Sequence, residues 1–198
     1  MRAQGWVHAA VAAALLSLAA CSSEDAGTTT LVVNGIDAES GSVWQSGEVF
    51  LDVAAVGDTV TTNRAIRGFV SFDITAVPPG KEIVAATLNL SDYVIRAPEQ
   101  DPFLAPNPLG NFLVMAQNYG ALEGGDYAGA AYATIYNAAQ GGAALAAIDA
   151  AAAVTGAHGN SYNRFQVRLQ FATESNGDGV AQIARFNDTA ARLTVEYR

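Results

Sequence analysis

Cysteine is nearly absent from this 198-residue chain, the only one being Cys21. A lone cysteine excludes an intrachain disulfide framework, so whatever folds beyond it must be held by its core alone. Histidine is almost as scarce. His8 and His158 are the only two, which leaves no His or Cys pair for zinc and no evident partner for a general base. Cationic charge is short as well: Lys81 is the single lysine, and ten Lys and Arg face 19 Asp and Glu for a net charge of −9. An acidic surface of this kind is repelled by phosphate backbones and anionic headgroups, and nucleic acid is not an expected partner. Long apolar runs are confined to Val7–Leu18, too short to span a bilayer.

That apolar run belongs to a leader. Met1-Arg2 supplies a positive start and Leu18-Ala19-Ala20-Cys21 a cleavage site, a pattern that resembles the bacterial lipobox. The resemblance implies a lipoprotein signal peptide over residues 1–20 and acylation of Cys21. Each buried methylene is worth about 0.8 kcal/mol, so the two or three chains of such an anchor hold firmly to a membrane. Ser22 stands where inner-membrane retention usually shows Asp; by resemblance to enterobacterial sorting, the expected location is the outer membrane of a bacterial envelope. Cleavage leaves about 178 residues, the size of one domain, with nine Lys and Arg against 19 Asp and Glu, a net charge of −10.

Residues 21–30 are small and polar beyond Cys21, as expected of a flexible tether, and the domain is expected over residues 31–198. Its recurrent pattern has period two. Val70, Phe72 and Ile74 alternate with Ser71 and Asp73; Phe165, Val167, Leu169 and Phe171 alternate with Gln166, Arg168 and Gln170; Leu193, Val195 and Tyr197 alternate with Thr194 and Glu196. Weaker alternation runs through Val49–Val53, Ala86–Leu90 and Phe112–Ala116. Strands with one dry and one wet face belong to antiparallel sheets, and the expected fold is an all-β sandwich. Pro78-Pro79-Gly80 reads as one turn between strands and Asn176-Gly177-Asp178-Gly179 as a hairpin. An Ala-rich stretch, Ala143–Val154, has Leu145, Ile148 and Ala152 at helical spacing and predicts one short helix ending near Gly156.

Residues 67–91 carry Phe72-Asp73, Pro79-Gly80 and Ala86-Thr87-Leu88, and the chain ends on Arg192-Leu193-Thr194-Val195-Glu196-Tyr197. In that order these motifs resemble the DNRLRE domain family, although the hexapeptide that names the family is absent here and residues 95–160 have no counterpart. The resemblance implies a jelly-roll sandwich acting as an accessory carbohydrate-binding domain of secreted or surface proteins.

Candidate site residues are few. Trp44, in a Gly- and Ser-rich segment, is the one tryptophan beyond the leader and the most attractive surface for stacking a sugar ring. Tyr119, Tyr127, Tyr132 and Tyr136 lie among Gly and Ala, where they serve either as a stacking platform or as core. Phe103, next to Asp101, stands in a loop stiffened by Pro98, Pro102, Pro106 and Pro108; such a loop is either a contact for a ligand or envelope protein, or a solvated insertion. Glu174, Asn176 and Asp178 have the oxygen spacing that opens a calcium loop, so a structural calcium ion is the alternative to the hairpin. His158, among glycines, is expected in a solvated loop. The expected protein is non-catalytic: a lipid-anchored binding module for polysaccharide, or else a structural lipoprotein that binds another envelope protein.

Overall fold

A computed structural model describes residues 27–51, 53–59, 64–96 and 100–198; the expected leader and Cys21, the expected lipidation site, lie outside them. The described residues fold into two antiparallel β-sheets, one of four strands and one of nine. No described helix is long and apolar enough to cross a membrane.

The four-stranded sheet runs β1 (Thr29–Asn34), β13 (Arg192–Tyr197), β6 (Ile83–Asn89) and β10 (Ile148–Asp149). One rung of it explains the fold's logic. Val33 lies opposite Leu193, Leu193 opposite Leu88, and Leu88 opposite Ile148. The register thus lines four aliphatic side chains along one face, and the alternating Thr30, Val32, Thr194 and Thr87 take the other.

The larger sheet contains β7 (Tyr93–Ile95), β12 (Ile183–Phe186), β4 (Ala54–Asp58), β5 (Ala65–Asp73), β11 (Arg164–Phe171), β8 (Phe112–Ala116) and β9 (Ala133–Ala138) in that order. Strands β2 (Gly41–Trp44) and β3 (Val49–Phe50) join it through β5. Its inner face pairs Phe72 with Phe165 and Val70 with Val167, all fully buried. Phe112 anchors the far end, its ring 5.4 Å from those of Phe171 and Phe186.

Several sequence-based expectations are corrected. The helix, α1, spans Ala151–Gly159 rather than Ala143–Val154. Alanine favours helix equally along the whole stretch, and packing decides: Leu145 and Ile148 are buried through a short 3-10 turn and β10, after which Asp149 Oδ1 accepts the Ala151 N–H at 3.0 Å and the helix starts. His158 is therefore in the last turn of α1, its Nε2 3.1 Å from the Pro78 carbonyl. Residues 176–179 do not close a hairpin either. They lead from β11 to β12, which pairs with β4 and β7 instead. The ordered sheet begins at Thr29, two residues into the expected tether.

The third correction concerns the wet face of β11. Gln166 and Arg168 are buried, only 2% and 6% exposed, because residues 117–132 fold back over that face. Gln166 Oε1 accepts the N–H groups of Tyr119 and Gly120 at 2.9 Å, and Arg168 Nη1 donates to the Gly129 carbonyl at 2.6 Å.

Candidate functional site

Strand β5 has two faces with different fates. On one, Val43, Ala65, Phe69 and Tyr127 form a small buried cluster, with Tyr119, Val49 and Leu122 against it. The face is closed by the 3-10 turn Gly124–Ala128. Arg67 runs through this closure, its guanidinium 4.1 Å from the Tyr127 ring centroid. Its Nη1 donates to the Tyr127 carbonyl and its Nη2 to Glu174 Oε1 at 2.8 Å. Glu174 also accepts the Tyr127 hydroxyl at 3.1 Å and Gln45 Nε2 at 3.2 Å. Burial pushes the Tyr127 phenol up to about 12 and pulls the neighbouring Arg168 down to about 10. The Tyr127 hydroxyl and both Glu174 carboxylate oxygens have partners from the chain itself, the signature of a scaffold.

On the other face lie Ile66 and Trp44, directly opposite one another on β5 and β2. Side chains at 66, 68, 70 and 72 share one side of β5 by the period of two, yet Val70 and Phe72 belong to the main core while Ile66 belongs to a separate cluster with Ala55, Ala181 and Ile183. Strand β4 separates the two by passing over β5 at Gly68. A Cβ on Gly68 would lie 3.2 Å from the Ala55 carbonyl oxygen and 3.3 Å from that of Ala54. Gly57, which pairs with Ile183, is a second such position: its φ is +133° and a Cβ would meet the Gln182 carbonyl oxygen at 1.8 Å.

Beyond the crossing is an open cleft of about 200 Å3. Its floor is Ala55, Ile66 and Ile183. One wall is Trp44 and Phe50, with ring centroids 5.5 Å apart and Phe50 44% exposed. The other wall is Arg96 and Arg185. The register brings these together, since Arg185 lies opposite both Ala55 and Val94 and the Arg96 N–H donates to the Ile183 carbonyl. Both arginines are exposed and neither forms an ion pair among the described residues. In a chain this acidic, two guanidiniums beside two aromatic rings are a local concentration of positive charge.

Of the residues singled out from sequence, only Trp44 lines this cleft. Tyr127 and Tyr119 are on the covered face, Tyr119 donating its hydroxyl to the Glu39 carbonyl at 3.1 Å. Phe103 packs into the core against Tyr93, Phe112 and Phe171. Tyr136 packs on Phe112 and donates to the Gln140 carbonyl. Tyr132 is 46% exposed over a shallow hollow between β9 and α1. The tyrosines thus do not converge on Trp44.

The proposed calcium oxygens have other occupations. Glu174 is turned to Arg67. Asp178 Oδ1 accepts the Val180 N–H at 2.7 Å, and its Oδ2 accepts Asn176 Nδ2 at 2.8 Å and Gln182 Nε2 at 3.0 Å. Among the described residues no three His, Cys, Asp or Glu side chains group as a metal site.

Phe50, Arg96 and Arg185 were not legible as site residues. Phe50 and Leu51 are adjacent exposed apolar residues, a weak signal, and the arginines lie far apart in sequence. The chain matches no known protein-family profile and no curated protein.

Proposed function

We propose that the protein is a non-catalytic binding module, tethered through lipid on Cys21 to the outer membrane of a bacterial envelope, that holds polysaccharide in the Trp44 cleft. The observation that carries this reading is the meeting of partly exposed aromatic faces with two exposed guanidiniums over an apolar floor. Aromatic rings stack on the apolar faces of sugar rings, and a guanidinium donates two parallel hydrogen bonds to a carboxylate or sulfate. The favoured ligand is accordingly a polysaccharide that bears acidic sugars. The likeness of Phe72-Asp73, Pro79-Gly80 and Arg192–Tyr197 to the DNRLRE pattern agrees with a sugar-binding sandwich.

Affinity electrophoresis of the mature protein through gels containing hyaluronan, polygalacturonate or laminarin tests the reading. An acidic polymer retards the protein and Trp44→Ala abolishes the retardation; no retardation by any of the three rejects it, and equal retardation by neutral laminarin rejects the role of the arginines. Metabolic labelling with palmitate tests the anchor, a Cys21→Ala variant being expected to lose the label.

A further inference from the structure

The Trp44 cleft does not end at Arg185. A second depression of about 350 Å3 shares Val53 and Arg185 with it and continues over Val94 to Asp92 and Asn187. From Ile183 to Asn187 along β12, four residue steps of about 3.3 Å make roughly 13 Å of floor, to which the width from β12 to Trp44 on β2 is added. The combined groove is longer than one pyranose ring.

Its two halves differ in chemistry. The Trp44 half has two cations, Arg96 and Arg185, beside the hydroxyls of Ser42 and Thr59. In the other half Val94 is 62% exposed and provides an apolar patch. Asp92 is exposed, and among the described residues its carboxylate accepts one side-chain hydrogen bond, from the Asn187 amide at 3.5 Å, which leaves lone pairs to spare. A carboxylate repels an anionic sugar and accepts hydrogen bonds from the hydroxyls of an uncharged one. Asp92 and Arg185 line the same depression without forming an ion pair.

Resting on the binding reading above, we infer that the groove takes consecutive sugars of a linear polysaccharide, with an acidic sugar at Trp44, Arg96 and Arg185 and a neutral sugar at Val94 and Asp92. The ligand class is a copolymer of acidic and neutral sugars, recognised over more than one sugar unit.

Isothermal titration of the mature protein with hyaluronan oligosaccharides from disaccharide to decasaccharide provides the test, since that polymer alternates a uronate with a neutral sugar. Affinity rises about tenfold or more between disaccharide and hexasaccharide and then levels, a gain equal to one or two added hydrogen bonds to a charged group. Asp92→Ala removes most of that gain and leaves the disaccharide within about twofold; Trp44→Ala weakens every length. Val94→Ala, also exposed and off the ladder's inner face, reports on the same half without relying on charge. A hexasaccharide no tighter than a disaccharide overturns the inference and spares the binding reading, as does a gain that survives Asp92→Ala. Polygalacturonate bound as tightly as hyaluronan and untouched by Asp92→Ala overturns it in the same way. No binding of any oligosaccharide or polymer removes both, and release of reducing ends during the titration removes the non-catalytic assignment.

Discussion

The two faces of β5 and β2 each assemble arginine with aromatic rings, and they end differently. On the covered face Arg67 lies over Tyr127 and is neutralised by Glu174, with Gln45 and the Tyr127 hydroxyl completing the carboxylate's contacts. On the open face Arg96 and Arg185 line the cleft with Trp44 and Phe50 and form no ion pair among the described residues. The same residue types therefore serve two purposes, and the difference is whether a described side chain pairs with the cation. Where one does, the cluster fastens a loop to a sheet. Where none does, the cation is available to the acidic ligand proposed above.

The sharpest break in this contrast comes from Gly57, which carries β12 alongside β4 and so shapes the open face. Gly57→Ala forces a Cβ into the Gln182 carbonyl at a positive φ and is expected to cost about 3 kcal/mol or more in urea-unfolding free energy, with loss of glycan retardation. Next is Arg67→Ala. It removes the one cationic donor from Glu174 and a donor from the Tyr127 carbonyl, and a loss of about 2 kcal/mol is expected with polymer binding intact. Trp44→Ala reverses that pattern: tenfold or more weaker binding and a stability change under about 1 kcal/mol, by titration and urea melts on the same sample. Arg96→Ala with Arg185→Ala leaves the melt within about 0.5 kcal/mol while flattening the dependence of binding on salt, because the charges removed are exposed.

A final, smaller effect comes from pH. Asp58 is fully buried at the end of β4. Burial raises its carboxyl above the usual carboxylate value, against the pull of the Gln182 N–H, the Ser175 hydroxyl and the Asn176 N–H. An acid with a raised folded pKa binds its proton more tightly when folded, so stability falls as pH rises from the unfolded value of about 3.9 through the folded one. Asp58→Asn removes that dependence while keeping an oxygen for the Gln182 N–H. Its urea midpoint relative to the parent should rise between pH 4 and pH 7; a constant difference across that range would contradict the assignment.

What the sequence disclosed follows from how local each signal is. Strands β5, β11 and β13 were legible because large apolar residues alternate with polar ones and their pairings bury Phe72, Phe165 and Leu193 as the pattern requires. Strand β4 was not, since Ala54-Ala55-Val56-Gly57-Asp58 has small residues at every position and all five are buried. Gln166 and Arg168 read as solvent-facing because their cover, residues 117–132, is some forty residues away in sequence. The helix was misplaced by composition alone: alanine's propensity extends over Ala143–Ala153, and only the burial of Leu145 and Ile148 chooses which part is helical. For the site, Trp44 was visible as a rare residue in a loose segment. Its neighbours Phe50 and Arg185 come from two other strands and Arg96 from the residue just past β7, and nothing short of the register could have joined them.

Thr29 lies opposite Tyr197 on the first rung of the smaller sheet. The first and last strands of the fold are thus hydrogen-bonded neighbours, and the path of the backbone is almost a closed ring. A short linker across that gap, with new ends opened at the exposed turn around Gly80, would give a circular permutant with every ladder retained. The position of the chain ends is then separable from the fold, free to move around the ring while the groove on the other sheet stays as it is.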